Sequence, residues 1–427
     1  MAYNRKQRLN DNIKAIETAF ILDREQRTPT ARERLLLERY CGFGGLKCIL
    51  NPARELADAV HWAKSDLELF APTVELHRLI RENSKNESEY KQLMDSLKQS
   101  VLTAFYTPSA ITEALADVLK EHQVIPEKVL EPSAGIGAFV DSVLDNNPKA
   151  DIMAFEKDLL TGKILRHLHP EQKVRIEGFE KIEKPFNDYF DLAISNIPFG
   201  DVAGFDPAYT AMKGMRALVT RRIHNYFFVK ALDTVRDGGL VAFITSQGVL
   251  NAKNNSAARF MMLYHADLVS AIRLPNNLFT ENANTEVGSD LIILQKNSEK
   301  ESLRGDDNLL DTVYNDENRI PTNNYFLEHP ERIIHTTAKL DTDPFGKPAM
   351  IYTHEDGVEG IAEDLRKMLH EDFKKNLNLN RYLGIEETMA EEVKEVEETE
   401  KIEEIEKMKT SIEEKQNATV VSLQKQE

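Results

Sequence analysis

The sequence predicts an α/β fold: a seven-stranded, mostly parallel sheet that follows a helical N-terminal extension. Short apolar runs with β-branched residues alternate with segments of helical periodicity. A glycine-rich turn joins the first of these runs to the helix after it. The predicted strands are residues 128–130, 151–155, 174–177, 190–194, 240–245, 268–273 and 291–294.

The composition is typical of a globular protein. Of 427 residues, 41% are hydrophobic and 29% are charged, which allows two or three domains. No apolar run reaches the roughly 18 residues of a membrane span, and the N-terminus has no apolar signal core, so we expect a cytoplasmic protein. The only cysteines, Cys41 and Cys48, offer neither a disulfide framework nor enough ligands for a zinc site.

The net charge of −17 is unevenly distributed. Acidic residues far outnumber basic ones in residues 386–427, so the rest of the chain is only mildly acidic. Local basic patches matter more for binding nucleic acid than the total charge does. The charge therefore does not exclude a nucleic-acid partner.

Composition and periodicity divide the chain into four predicted parts. A glycine-rich stretch at 42–46 predicts a structural turn within the first part. The parts are a helical N-terminal module at 1–100, a sheet domain at 101–300, a loop-rich extension with a late helix near 361–369 at 301–385, and an acidic tail, helical or disordered, at 386–427.

A glycine-rich turn opens the helix after the first strand. Residues 131–139 read Glu-Pro-Ser-Ala-Gly-Ile-Gly-Ala-Phe, which lets a ligand approach the backbone beside free helix N–H groups. The third glycine of a dinucleotide fingerprint is missing, and Glu131 at the strand end favours a cationic group. Glu156 follows Gly137 at close to the roughly 20-residue spacing of a ribose-binding acid. The alternative is a solvated acid.

The most informative stretch is Asn-Ile-Pro-Phe at residues 196–199. Because it follows an apolar run, Asn196 is expected at the carboxyl end of a strand, the edge where open α/β sheets bind ligands. Pro198 restricts Ile197 to an extended conformation and so fixes the direction of its carbonyl. An amide, a carbonyl and the Phe199 ring together suit a flat ring that carries an amine. The alternative is a turn with a core phenylalanine.

Two further segments are candidates. Phe105, Tyr106 and Thr107 enter a predicted helix at 110–119, where they either pack its first turn or cover a site. Residues 201–223 lack clear periodicity and carry basic side chains that suit phosphate contacts, with a disordered surface loop as the alternative. These side chains are Lys213, Arg216, Arg221 and Arg222.

In their order and spacing, these motifs resemble those of N6-adenine-specific DNA methyltransferases. They lie at 105–108, 131–137, 156 and 196–199. The stretch 273–279, with the strand after it, is similar to a late segment of type I modification subunits. The stretch 42–46 is similar to an element that precedes the methylase domain in large methyltransferases of phages and conjugative elements. The resemblance covers roughly residues 1–340.

The resemblance implies a class I S-adenosyl-L-methionine-dependent methyltransferase fold, Rossmann-like, with the last strand antiparallel. The aromatic loop would close over the cofactor, Glu131 would face its cationic methionine end, and Glu156 would take the ribose. Phe179 or Glu180 would border its adenine ring. The cofactor residues that the resemblance implies are Phe105, Tyr106, Thr107, Glu131, Pro132, Ser133, Gly135, Gly137, Glu156, Phe179 and Glu180.

The implied reaction is methyl transfer to the N6 amine of an adenine flipped out of DNA. Asn196 and the Ile197 carbonyl would accept the amine hydrogens beside Pro198, and Phe199 would stack on the base. The family's usual proline is Ile197 here, and its usual aspartate is Glu131. The role of Ile197 belongs to its backbone, which any residue supplies.

DNA is the implied partner, and no metal or membrane is expected. Residues 301–385 could contact DNA but are short for a target-recognition domain, so a specificity or helicase subunit is a further candidate partner. Two alternatives stay open. One is an RNA or protein-glutamine methyltransferase of the same fold. The other is a non-catalytic subunit of a modification or anti-restriction assembly.

Overall fold

The computed structural model describes residues 4–199, 206–212, 214–280, 285–303, 307–314, 319–343 and 346–385. Its central sheet contains β1 (Lys128–Glu131), β2 (Asp151–Phe155), β3 (Lys173–Arg175), β4 (Phe190–Asn196), β5 (Val235–Ser246), β6 (Ala266–Leu274) and β7 (Ser289–Lys296). The strand order is β3-β2-β1-β4-β5-β7-β6, and β7 runs antiparallel to both of its neighbours. The predicted seven strands and the antiparallel last strand are confirmed.

Helices precede and connect these strands. They are α1 (Arg5–Glu25), α2 (Ala31–Leu37), α3 (Phe70–Glu82), α4 (Glu87–Thr103), α5 (Ser109–Glu121), α6 (Ala138–Asn146), α7 (Leu159–Leu168), α8 (Pro207–Thr210), α9 (Met215–Val219), α10 (Ile223–Thr234), α11 (Gly248–Asn251), α12 (Ser256–His265), α13 (Asn324–Glu328) and α14 (Gly357–Asn376). Short 3₁₀ helices lie at Lys47–Leu50, Leu56–His61, Lys64–Leu69, Phe179–Lys181, Lys184–Phe186, Lys253–Asn255, Asn276–Phe279, Asp307–Leu309 and Pro330–Arg332.

The strand order reverses between β1 and β4. Strand β1 pairs in parallel with β2 on one side and with β4 on the other, so the carboxyl ends of these strands meet at one edge. Glu131 ends β1 and Asn196 ends β4. The Ile197 N–H donates to the Ile244 carbonyl at 3.0 Å and carries the pairing with β5 one residue further. Open α/β sheets bind ligands at such a reversal.

The N-terminal helices share an apolar core with α7. Helices α1, α2 and α4 contact α7, and Leu160, Ile164 and Leu168 of α7 belong to the same buried cluster as Leu9 and Phe43. Because α7 starts just after β2, the N-terminal helices pack on a helix that begins at the ligand edge of the sheet. The division into four parts stays a prediction.

The extension after the sheet is more regular than the sequence suggests. It contains two hairpins, β8 (Thr312–Tyr314) with β9 (Pro321–Asn323) and β10 (Thr337–Thr342) with β11 (Pro348–Thr353). Helix α14 is longer than the predicted helix at 361–369 and packs on α5 and β6. Its buried positions run from Ile361 to Phe373, and its first turn, which contains two glycines, gives little helical signal in the sequence.

The chain divides into two units, Met1–Leu377 and Asn378–Glu427. In the second, helix α15 (Leu379–Leu383) is capped by Asn378, whose side chain accepts from the Arg381 N–H at 3.0 Å. The predicted tail at 386–427 lies outside the described residues. Across the described ranges, no helix is both long and apolar enough to cross a membrane. In those ranges, no three or more His, Cys, Asp and Glu residues group as metal ligands.

A buried ion pair joins β6 to β7 and yields a prediction. Arg273 Nε lies 2.9 Å from Asp290 Oδ1, both side chains are almost fully buried, and the guanidinium lies 4.1 Å from the centre of the Phe326 ring. We expect Arg273→Met to lower the free energy of unfolding by about 3–5 kcal/mol, because it leaves a buried carboxylate unpaired. Urea denaturation measures this.

The double variant Arg273→Met/Asp290→Asn is the control. It removes both charges, so it should recover much of the lost stability. Equal stability of the single and double variants would show that the charge pairing is not what holds the two strands.

Candidate active site

A cavity of about 570 Å³ lies at the carboxyl edge of β1, β2 and β4. A volume of roughly 300–1,000 Å³ is typical of small-molecule sites. Every residue that the sequence assigned to catalysis or to the cofactor lines this cavity, with one exception, Gly137. These lining residues are Phe105, Tyr106, Thr107, Glu131, Pro132, Ser133, Gly135, Glu156, Phe179, Glu180, Asn196, Ile197, Pro198 and Phe199.

The Asn196 side chain has a fixed orientation. Its Nδ2 donates to the Phe105 carbonyl at 2.9 Å. Because a carbonyl oxygen only accepts, the amide nitrogen must face Phe105, and Oδ1 keeps its capacity as an acceptor in the cavity wall. The Ile197 side chain is buried in the sheet core, with 1% of its surface exposed. The backbone at residue 197 is therefore held by the hydrogen-bonded Asn196 before it and by the buried side chain of Ile197 itself.

Phe199 packs edge-to-face against Phe279, with ring centres 6.0 Å apart and an angle of 78° between the rings. Phe279 is fully buried in the 3₁₀ helix that follows β6. The same 3₁₀ helix is held by Asn277, whose side-chain amide exchanges hydrogen bonds with the His354 backbone. The sequence indicated the segment 273–279 but gave no reason to pair Phe279 with Phe199.

Four carboxyl groups line the cavity, those of Glu131, Glu156, Asp158 and Glu180, and burial raises the pKa of the first three. Burial, with repulsion from Asp141 and Glu156, raises the pKa of Glu131 well above its usual range. Burial and neighbouring Asp158 raise the pKa of Glu156 to about 8. Among the described residues, Glu131 Oε2 and Asp158 Oδ2 have no hydrogen-bond partner. Such groups favour a ligand that brings positive charge or N–H donors.

Glu156 holds the glycine turn. Its Oε2 accepts from the Gly135 N–H at 2.8 Å and its Oε1 accepts from the Asp158 N–H at 2.7 Å. Asp158 in turn caps α7 by accepting from the Thr161 N–H at 2.7 Å. Asp158 is not among the residues predicted from the sequence, although an acid before a helix is a recognisable capping signal.

The two glycines of the turn have different neighbours. Both are left-handed, with φ of 56° at Gly135 and 92° at Gly137. A Cβ on Gly135 would lie 2.8 Å from Cε1 of Tyr106, whereas one on Gly137 would lie 2.5 Å from Nε2 of His169. Gly137 therefore faces the protein interior beside His169. Burial lowers the pKa of that histidine to about 4, so it is neutral near pH 7.

The remaining predicted cofactor residues form the rim and one end of the cavity. Thr107 is buried, and within the described residues its Oγ1 has no hydrogen-bond partner. Phe179 is buried among aromatic rings, 5.4 Å from Phe227 between ring centres. Glu180 lies 3.6 Å from the exposed Lys157 ammonium. The aromatic floor behind Phe179 was not identified from sequence, because Phe227 lies on a helix with no distinctive motif.

Of the basic residues after β4 that the structure describes, Arg216, Arg221 and Arg222 do not line the cavity. Lys213 lies outside the described residues. Arg216 forms an ion pair with Asp233, Arg221 is exposed, and Arg222 is half-buried with its guanidinium 3.4 Å from Asn255 Oδ1. Their assignment to phosphate contacts stays a prediction.

Comparison with known proteins gives one family. The model described as N-6 DNA Methylase matches residues 88–392. The chain is 29% identical over 201 residues to Defense against restriction protein B of Escherichia phage P1, covering 46% of this chain and 8% of that protein. It is 25% identical over 173 residues to the type II methyltransferase M.XamI of Xanthomonas campestris pv. amaranthicola, covering 38% of this chain and 33% of that enzyme.

The chain thus spans a third or less of the length of these two curated relatives. Among solved structures it is similar to the type I restriction-modification methyltransferase subunit from Streptococcus thermophilus. That match has 15% identity and a TM-score of 0.41, and it covers 75% of this chain and 69% of the other.

The raised pKa of Glu156 predicts a pH effect on the ligand-free protein. The pKa of this carboxyl is about 4.3 in the unfolded chain and about 8 in the folded protein. Its contribution to folding stability is therefore fully present below about pH 4.3 and is lost as the pH rises towards 8. Wild type should therefore lose on the order of 4 kcal/mol relative to Glu156→Gln between pH 5 and pH 8.

Urea denaturation at several pH values measures the difference. The substitution also disturbs the bond from the Asp158 N–H, but that cost does not change with pH, so the slope is the readout. A difference between the two proteins that is flat across this range would contradict the account.

Proposed function

Because the chain belongs to the N-6 DNA methylase family, we propose that it transfers a methyl group from S-adenosylmethionine to the N6 amine of adenine in DNA. The observation that carries the proposal is the Asn196 amide at the end of β4, which the Phe105 carbonyl orients so that Oδ1 is left as an acceptor in the cavity. A flat ring with an exocyclic amine is the substrate that this arrangement suits.

The residues of the cavity fit the cofactor. S-adenosylmethionine carries a sulfonium and an ammonium group, and Glu131 presents a buried carboxyl oxygen without a partner among the described residues. Glu156 has further acceptor capacity for ribose hydroxyls, and Phe179 with Glu180 would border the adenine ring. Tyr106 and Thr107 would cover it. The buried Thr107 hydroxyl, likewise without a partner in the described ranges, supports this part of the proposal.

The cofactor supplies an electrophilic methyl group. The chain's own residues prepare the nucleophile. Asn196 Oδ1 and the Ile197 carbonyl accept hydrogen bonds from the adenine amine, which localises the nitrogen lone pair and stabilises the positive charge that develops on that nitrogen. No general base is needed at this step, since the resulting ammonium is strongly acidic and loses its proton to water.

Phe199 holds the target base by stacking, an interaction worth roughly 1–3 kcal/mol per base. Adenine must leave the duplex to reach this ring. Phe279 supports Phe199 from behind through the edge-to-face contact, so the ring is supported before the base arrives. This arrangement favours a target base that is already outside the stack.

Contact with DNA phosphates is a further part of the proposal. The exposed Arg221 is available for such a contact, whereas Arg216 would have to leave its ion pair with Asp233. Because residues 301–385 are short for a target-recognition domain, we include a separate specificity or helicase subunit as a partner in recognition of the target sequence.

The central prediction concerns Asn196. We expect labelled S-adenosylmethionine to transfer its methyl group to unmethylated duplex DNA, with the label in N6-methyladenine after digestion to nucleosides. Asn196→Ala should lower the rate by about 10²–10³, the effect of removing one hydrogen-bonding group that acts in the transition state.

Asn187→Ala is the matched control. Asn187 is an exposed asparagine near the opposite end of the same strand, so the substitution should leave the rate unchanged. Equal rates for Asn196→Ala and wild type, or label in a cytosine product, would contradict the proposed function.

A further inference from the structure

The Tyr106 ring is held between two left-handed glycines that are far apart in sequence. A Cβ on Gly135 would lie 2.8 Å from Cε1 of the ring. On the opposite edge, a Cβ on Gly42 would lie 3.2 Å from Cε2, 3.1 Å from Oη and 2.5 Å from the Cβ of Ala104. Only glycine allows the backbone to approach the ring this closely on both edges.

The turn at residues 41–43 is itself held in place. Asn12 is fully buried on α1; its Nδ2 donates to the Gly42 carbonyl at 2.6 Å and its Oδ1 accepts from the Cys41 N–H at 2.9 Å. The Phe43 N–H donates to Ser100 Oγ on α4 at 3.2 Å. Two helices of the N-terminal part therefore determine where Gly42 lies.

The hydroxyl of Tyr106 is tied to the start of α7. Thr161 Oγ1 lies 3.3 Å from Tyr106 Oη and 3.2 Å from Tyr40 Oη. Thr161 lines the cavity and is bonded through its N–H to Asp158. The ring is thus fixed by the glycine turn, by α7 and by the turn at 41–43.

Gly42 does not line the cavity, whereas Tyr106 and Ala104 do. We propose that the turn at 41–43 is a positioning element of the cofactor site: it presses Tyr106 against Gly135 and so sets the affinity of the cavity for S-adenosylmethionine. This inference rests on the proposed function. It assigns the N-terminal helices a task within the cofactor site although they supply no catalytic residue.

The alternative is that the turn at 41–43 only packs the core. Hydrogen exchange of this turn, measured with and without ligand, distinguishes the two explanations. If Tyr106 transmits the state of the cavity, bound S-adenosylmethionine slows hydrogen exchange of the Cys41 and Phe43 amides, which lie outside the cavity lining. The β10–β11 hairpin serves as the reference region, where exchange stays unchanged. If the turn only packs the core, exchange at residues 41–43 is the same with and without ligand.

The direct test is the dissociation constant of S-adenosylmethionine for full-length variants, measured by calorimetry. Gly42→Ala should weaken binding by at least about tenfold, while affinity for duplex DNA changes less than about twofold. Loss of the fold would weaken the binding of both S-adenosylmethionine and duplex DNA. Gly346→Ala controls for the left-handed backbone, since Gly346 has φ of 77° and no atom within 4 Å of an added Cβ; its cofactor affinity should match wild type.

A second substitution provides a rescue. Gly42→Ala/Ala104→Gly removes the methyl group that the new Cβ would meet first, so cofactor affinity should partly return. Wild-type affinity in Gly42→Ala overturns the inference alone. No binding by wild type overturns the proposed function and the inference together. Should Gly42→Ala not fold, the exchange experiment on wild type decides, and unchanged exchange at residues 41–43 overturns the inference.

Discussion

The hydrogen bond from Asn196 Nδ2 to the Phe105 carbonyl is the interaction on which the candidate site depends. It joins the end of β4 to a loop that lies 91 residues earlier in the chain. The next residue, Tyr106, packs on Gly135 and so links the same loop to the glycine turn after β1. One short loop thus connects the proposed amine-binding group with the proposed cofactor turn.

The carboxyl groups add an electrostatic constraint. Glu131, Glu156 and Asp158 are buried near one another, and burial raises the pKa of each. The ligand-free protein keeps them partly protonated, because ionising them together in a cavity of low polarity is unfavourable. A cationic ligand reverses that preference. At high pH the ligand-free protein is therefore less stable than a protein with a comparable apolar pocket would be. This is the usual trade-off, in which a binding site lowers the stability of the fold.

Local sequence patterns predicted most of the sheet, since apolar runs that end in polar residues mark strands and their carboxyl ends. This placed Glu131, Glu156 and Asn196 at one edge. Contacts between distant segments left no such trace in the sequence. They are the packing of Phe279 against Phe199, the bond between Thr161 and Tyr106, and the approach of the turn at 41–43 to Tyr106. The local glycine motif assigned Gly137 to the cavity, but an added Cβ on this residue would meet His169, which the motif does not contain.

The most direct test of this account is a calorimetric titration of the ligand-free protein with S-adenosylmethionine near pH 7 in buffers of different ionisation enthalpy. The account predicts binding at one site with release of about one proton, because Glu131 and Glu156, whose pKa values burial raises, ionise when the cationic ligand occupies the cavity. Affinity should then increase with pH. No binding, or binding without proton release, would contradict the claim that these buried carboxyl groups receive the cofactor.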